Sequence, residues 1–334
     1  MILAGIYIHI PFCRSRCSYC DFATGMYQSE IAETYAGAVC SEIGDWREVE
    51  QPATVDTIYF GGGTPSLLST EQTARILRAV KDRFELIDAP EITLEINPGD
   101  GGVDEESRLA TMREWRRLGI DRASFGVQTF DDRELKLLGR THDSTDVRKT
   151  FALLREAGFT NINFDLIAGL PGQTMGGWKR NLDEALKLRP EHLSLYLLDV
   201  HEGTPLADQI NCGMRPIPDD DLAAEMYATM IEQVCAAGYE HYEISNFCLP
   251  GFESRHNTKY WASEPYYGFG NSAHSYDGAR RRWANERDAA KYVKAVEHND
   301  SLIVDRTTLS EEETRSESIF LGLRLMKGID LQTH

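Results

Sequence analysis

Two rhythms of apolar and polar residues take turns along much of this chain. Short runs rich in Ile, Leu, Phe, Tyr and Val recur at residues 6–10, 57–60, 92–96, 123–127, 162–167 and 193–198. Most end in Gly, Pro or a polar residue, and they predict β-strands. Between them lie stretches of helical period. Residues 73–84 place Ile76, Leu77, Val80 and Phe84 on one face,. Ser69 and Gln72, just before, resemble a capping box. Residues 105–118 and 146–157 read the same way, with Gly119 and Gly158 placed where a left-handed glycine ends a helix,. Another helix, over 178–188, stops before Pro190,.

Six strand–helix units in a row predict an α/β fold with a parallel sheet. Near-continuous apolar strands suit a sheet covered on both faces. An open doubly wound sheet and a partial barrel both satisfy the pattern. In either, function sits beyond the carboxyl ends of the strands. The pattern stops after Leu198. Pro216, Pro218 and three aspartates to Asp221 mark a linker and a helix start, so the expected division is 1–215 and 216–334,. A helix to Gly238 with Met226, Met230 and Val234 on one face, extended chain over 239–247, and helices over 288–297 and 311–326 are expected next. The last helix carries Ile319, Phe320, Leu323 and Met326 to bury, yet only eight residues follow it, so a truncated C-terminal region is expected.

Apolar residues make up 42% of the 334, enough for a sizeable core. The balance of 35 basic to 53 acidic residues gives −18. That excludes a general nucleic-acid binder, whose affinity rests on neutralising phosphates. It also disfavours a permanent seat on anionic lipid, leaving at most peripheral membrane contact. No apolar run approaches ~18 residues, and the start lacks the marks of a signal peptide. A cytoplasmic, reducing location is expected.

In such a compartment seven cysteines do not suggest disulfides,. Cys40, Cys212, Cys235 and Cys248 are scattered. Cys13, Cys17 and Cys20 form C-x3-C-x2-C just after the first strand. One face of a helix, an incomplete zinc site and a reactive dithiol are the plain alternatives. An iron–sulfur cluster is the sharper one. Three thiolates leave one iron of a four-iron cluster open to another ligand.

Other strand ends carry polar groups. The second runs into Gly61-Gly62-Gly63-Thr64-Pro65, a tight turn or a ligand cradle,. The third ends with Glu95-Ile96-Asn97-Pro98 and the fourth with Gln128; the fifth holds Asp165 among apolar neighbours. A carboxylate there needs a partner such as Arg122 or Arg140, or a ligand.

C-x3-C-x2-C, then GGGTP, then E-x-N-P resembles the radical S-adenosylmethionine (SAM) enzymes, in their coproporphyrinogen-oxidase-like branch. The resemblance runs from Tyr7 to about Trp261. It implies a partial (β/α)6 barrel with a smaller, mostly α C-terminal region. It also implies a [4Fe-4S] cluster on Cys13, Cys17 and Cys20, with SAM chelating the open iron. Cleavage of the sulfonium then yields a 5′-deoxyadenosyl radical. Carried over residue by residue, Tyr7, Tyr19, Gly62, Gly63, Thr64, Glu95, Gln128, Arg140 and Asp165 match SAM-contacting positions. Arg140 suits a carboxylate, and Asp165 suits ribose hydroxyls.

Two members of the branch compete. Oxygen-independent coproporphyrinogen III oxidases carry a further cysteine where this chain has Phe22, and an N-terminal extension where only twelve residues precede Cys13. The haem-chaperone family has the three-cysteine form followed by Asp-Phe, as in Asp21-Phe22. It also has H-N-x-x-Y-W, matched by His256-Asn257-Thr258-Lys259-Tyr260-Trp261. The likeness is therefore greater to the haem chaperones. It implies haem as ligand, haem-accepting proteins and an electron donor as partners, and no coproporphyrinogen oxidase activity. His256 is the implied haem ligand, with His274 as a rival; from the residues alone, a satisfied histidine in an aromatic cluster with Tyr260 and Trp261 is the plain alternative,. His9 is expected to orient groups beside the cluster. Arg280-Arg281-Arg282 is a solvated turn or a contact to haem propionates. Oxidative decarboxylation of a porphyrinogen is the alternative function. A structural iron–sulfur or zinc module without SAM is the third.

Overall fold

The computed structural model describes residues 3–99 and 102–330. Its spine is a twelve-stranded sheet. Six parallel strands form the centre: β1 (Leu3–Ile10), β4 (Thr54–Gly62), β5 (Leu86–Ile96), β6 (Arg122–Gln128), β7 (Asn161–Ala168) and β8 (His192–Leu197). They lie side by side in chain order. A doubly wound sheet reverses its strand order at a switch point, and this one does not. Uninterrupted sequential order is the winding of a barrel.

A short parallel pair, β2 (Phe12–Cys13) and β3 (Gly25–Met26), follows β1 and leads into α1 (Ser29–Asp45). The crossovers that follow are α2 (Thr70–Arg83), α3 (Glu105–Leu118), the pair α4 (Asp132–Leu137) and α5 (Ser144–Glu156), and α6 (Met175–Leu188). The Ser69–Gln72 capping box forms and starts α2. Gly119 closes α3 at φ 98°. α6 begins three residues earlier than its apolar spacing suggests because Thr174 accepts from the Gly177 amide as N-cap,.

The central strands are not apolar on both faces, as their composition suggested. Along β5, Ile92, Leu94 and Ile96 join the core under the helices, while Glu91, Thr93 and Glu95 alternate with them. β6 does the same with Ala123, Phe125 and Val127 against Arg122, Ser124 and Gln128, and β7 with Ile162, Phe164 and Leu166 against Asn163 and Asp165. Successive side chains of a strand point to opposite faces. The apolar set therefore packs outward on the helices, and the polar set turns into the barrel. Fully burying one side chain such as Phe125 or Phe164 contributes about 1.5–3 kcal/mol. These outward apolar residues share one core cluster with Tyr267, Trp283 and Tyr292 from the later chain.

After β8 come α7 (Pro205–Asn211), α8 (Asp220–Ala236), β9 (Glu240–Glu243), β10 (Asn246–Cys248) and α9 (Arg255–Trp261). Then follow β11 (Tyr266–Phe269), β12 (His274–Tyr276), β13 (Arg281–Asn285), α10 (Ala289–His298), β14 (Ile303–Thr308) and α11 (Glu311–Gly322). The later chain is thus less purely helical than expected. β10 and β9 extend the sheet beyond β8, and β11 to β14 extend it beyond β1. α11 stops short of the expected helix end and leaves Phe320, Leu323 and Met326 exposed.

One buried knot ties this extension to the barrel. Glu42 of α1 accepts from the Gly270 amide at 2.8 Å, the Tyr292 hydroxyl at 2.6 Å and the Asn285 amide group at 2.6 Å. One turn pair earlier, the Tyr35 hydroxyl lies 2.9 Å from the His9 carbonyl and 2.8 Å from the Asn271 side-chain oxygen. Gly270, at φ 95°, has no room for a side chain: a Cβ would stand 2.5 Å from that hydroxyl. Removing the shared acceptor strands three buried donors. Glu42→Ala is expected to lose at least about 2 kcal/mol in urea unfolding. Glu42→Gln, which keeps the shape and one acceptor, should lose less.

Candidate functional site

At the carboxyl ends of β4 to β8, under the cysteine loop, lies a cavity of about 1070 Å³. Cys13, Cys17 and Cys20 line it, each half-buried and free of any disulfide. The loop is not helical. β2 and β3 close its base, with Gly25 N–H on the Pro11 carbonyl at 2.7 Å and Tyr27 N–H on the Cys13 carbonyl at 2.9 Å. Its middle is pinned by Ser18, whose amide donates to Leu138 O at 2.9 Å and whose carbonyl accepts from Leu206 N–H at 2.8 Å. Burial pushes the Cys13 thiol up to about 11 and raises that of Cys20.

Two donors reach the sulfurs. Arg140 Nη1 lies 3.3 Å from Cys17 Sγ, and Thr64 Oγ1 lies 3.8 Å from Cys13 Sγ. Asn97 joins them: its Nδ2 donates to Thr64 Oγ1 at 2.7 Å, and its Oδ1 accepts from Arg140 Nη2 at 2.6 Å. Asn97 was legible only as part of E-x-N-P, and its linking role was missed. Arg140 was read as a carboxylate clamp. Here its guanidinium is already engaged with Cys17, Asn97 and the Gly126 carbonyl at 2.8 Å, so it supports the cysteine loop instead.

The glycine strip also differs from the expected amide cradle. The amides of Gly62, Gly63 and Thr64 donate to Glu95, Ile10 and Phe12 respectively. The glycines serve close packing. Gly62 sits at φ 108°, and a Cβ there would meet the His9 ring at 2.5 Å,. All three residues still line the cavity.

Two carboxyl groups stand deeper. Glu95 accepts from the Tyr59 hydroxyl at 2.9 Å and the Gly62 amide at 3.1 Å. Asp165 accepts from Asn163 Nδ2 at 2.7 Å. Among the described residues, the hydrogen-bond partners of these two carboxyl groups are Tyr59, Gly62 and Asn163 rather than Arg122 or Arg140. Arg122 is 1% exposed, lines the cavity, and has no hydrogen-bond partner at Nε or Nη1. Burial, then the Asp165 charge, pushes Glu95 up to about 7. Burial pushes Asp165 up to about 6, against the Asn163 hydrogen bond and the Arg122 charge. Gln128 lines the same space from a left-handed backbone, φ 68°, at a bulge in β6.

Tyr19 lines the cavity and packs on Leu138, Ile167 and Leu170. Tyr7 lies behind it: its ring stacks on Tyr59 at 6.2 Å, and its hydroxyl meets His9 Nδ1 at 3.2 Å. The other His9 nitrogen meets the Ala23 carbonyl at 3.2 Å, so His9 braces the cysteine loop.

His256, implied as a haem ligand, stands outside the cavity lining. It lies 1% exposed in the protein interior, with Nδ1 on Thr57 Oγ1 at 2.8 Å and Nε2 on the Tyr260 hydroxyl at 2.9 Å. Burial first, then the Lys259 and Arg122 charges, lowers its pKa to about 3. Both ring nitrogens meet protein partners, which is the arrangement of a satisfied core histidine. His274 is exposed on β12, outside the cavity lining. The arginine run pairs within the protein, Arg281 with Asp277 and Arg282 with Glu317.

The profile of the Radical SAM superfamily matches residues 7–185. The chain is 38% identical over 323 residues to the Heme chaperone HemW of Lactococcus lactis subsp. lactis (strain IL1403), covering 97% of this chain and 82% of that one. The chain belongs to the radical SAM superfamily, in its HemW family. Heme chaperone HemW of Bacillus subtilis (strain 168) is 38% identical over 332 residues, covering 98% of this chain and 85% of its own length. The coproporphyrinogen III oxidase HemN of Escherichia coli shares the fold of this HemW-family chain, with a TM-score of 0.82 over 97% of this chain and 76% of the oxidase at 24% identity. Membership of the radical SAM superfamily implies a [4Fe-4S] cluster and SAM.

The residues fit those groups. Three half-buried thiols face one cavity, and side-chain donors reach two of them, Cys13 and Cys17. Among the described residues, no three Cys, His, Asp or Glu groups converge as ligands of a single ion. Thiolates on three corners of a cluster stand farther apart than the ligands of one ion.

The raised carboxyl groups fix a pH dependence. Their protonated forms are favoured in the fold, so their stabilisation is fully present below the ordinary carboxyl range. It is lost as pH rises through about 6 for Asp165 and about 7 for Glu95,. The melting temperature of the cofactor-free protein should therefore fall less steeply between pH 4 and 8 in Glu95→Gln/Asp165→Asn than in the wild type.

Proposed function

We propose that this chain is a haem chaperone built on the radical SAM fold, which binds haem and passes it to acceptor proteins. The observation that carries the reading is identity of 34% to 38% with Heme chaperone HemW proteins over nearly the whole chain. Cys13, Cys17 and Cys20 hold the cluster, supported at sulfur by Arg140 and Thr64. Glu95, Gln128 and Asp165 present polar groups to SAM in the cavity, with Tyr19 beside them. Gly62, Gly63 and Thr64 shape its wall, and Tyr7 backs it. When bound, cluster and SAM supply reductive cleavage of a sulfonium. Haem-accepting proteins and an electron donor for the cluster are the partners.

Coproporphyrinogen oxidation is the second reading, favoured by the HemN fold. Phe22 speaks against it. It stands where the oxidases carry their further cysteine, and its side chain is apolar and exposed. No helix among the described residues is long and apolar enough to cross a membrane. All seven cysteines are free, which suits the cytoplasm as the site of action.

Anaerobic reconstitution should load about four irons per chain. Replacing any one of Cys13, Cys17 or Cys20 by Ala should abolish loading, while Cys40→Ala retains it. Stoichiometric zinc without iron uptake would overturn the cluster. The reconstituted protein should bind haem and leave coproporphyrinogen III unconverted. Robust decarboxylation of that porphyrinogen would promote the oxidase.

A further inference from the structure

With His256 sealed in the interior, a haem carrier needs another ligand that iron can reach. Two histidines line the cavity, His142 and His201. His142 is buried, and burial followed by the Arg140 charge lowers its pKa to about 3. His201 differs. It follows β8 at the cavity mouth, and its side chain is 44% exposed. Its Nδ1 lies 3.9 Å from an Asp21 oxygen of the cysteine loop, and its Nε2 lies 3.6 Å from an Asp199 oxygen. Both separations exceed a good hydrogen bond. One nitrogen can turn to a metal while the other settles on a carboxylate, which is how metal-bound imidazoles are usually held.

The surroundings suit a flat, anionic macrocycle. Phe22 is 61% exposed, Leu197 42% and Tyr196 40%, and all three line the same cavity. Exposed Arg14 and Arg16 line it from the cysteine loop. In a chain of net charge −18, exposed cations there complement two propionates,. Apolar walls, an imidazole and guanidinium groups match the face, the metal and the edge of a haem.

We propose that haem docks at this mouth, with His201 as its iron ligand, Phe22 and Leu197 as apolar walls, and Arg14 and Arg16 toward the propionates. This rests on the haem-chaperone reading and gives it a place. A ligand at a rim leaves haem within reach of an acceptor, which a core histidine does not.

The test titrates ferric haem into the full chain with its cluster reconstituted, followed by the Soret band and low-temperature EPR. His201→Ala should raise the Kd by at least about tenfold and remove the nitrogen-ligand signature. External imidazole should restore that signature in His201→Gly. Phe22→Ser should raise the Kd and leave the spectrum unchanged. His298→Ala, on the far exposed end of α10, should change neither. If wild type binds haem and His201→Ala matches it in affinity and spectrum, the site is wrong. If His274→Ala removes the signature instead, the site is also wrong. Failure of the wild type to bind haem at all overturns the chaperone reading itself, and the site with it.

Discussion

Asn97 is the joint on which the site depends. Its two ends hold Thr64 and Arg140, the donors that reach Cys13 and Cys17. A strand end thereby sets the position of a loop that has little regular structure of its own. Charge-assisted donation to sulfur is stronger than the neutral kind, so the Arg140 guanidinium is the firmer of the two contacts. Without that joint, Cys13 and Cys17 would lose the aligned donors that reach their sulfurs. The elements around it are consistent with this priority: β2 and β3 clamp the loop base, and His9 braces its far end.

Inside the barrel, polar groups outnumber what the protein itself can satisfy. Tyr59, Asn163 and Ser124 neutralise much of the demand through neutral hydrogen bonds. Arg122 remains with two unpartnered nitrogens among Glu91, Glu95 and Asp165, whose charge it offsets without contact. A buried ionic group is a poor source of stability. Its persistence here, facing a cavity, marks an interior arranged for polar contents. The apolar outer faces of the same strands supply the stability that this inner face forgoes.

Much of this was readable from residue order. Strand–helix alternation located all six central strands, and α3 has the bounds its periodicity suggested. The cysteine trio, Glu95, Gln128 and Asp165 meet at one cavity. Three things were not readable. Apolar content alone does not reveal that every second strand residue faces a polar interior. β11 to β13 are too short, at three to five residues, to show a period among glycines and aromatics,. Tyr260 lies one turn from His256 on α9, but Thr57 arrives from β4, and no local pattern carries that distant meeting.

The backbone of the cysteine loop is fixed by main-chain bonds at Pro11, Cys13, Ser18, Leu138 and Leu206, and by His9 and Arg287 reaching the carbonyls of Ala23 and Asp21. Main-chain bonds do not ask which side chain is present. None of these bonds passes through the side chains of Arg14, Ser15 or Phe22, so those side chains can be exchanged while the thiols keep their places. What the mouth of this cavity presents is thus built separately from the floor beneath it.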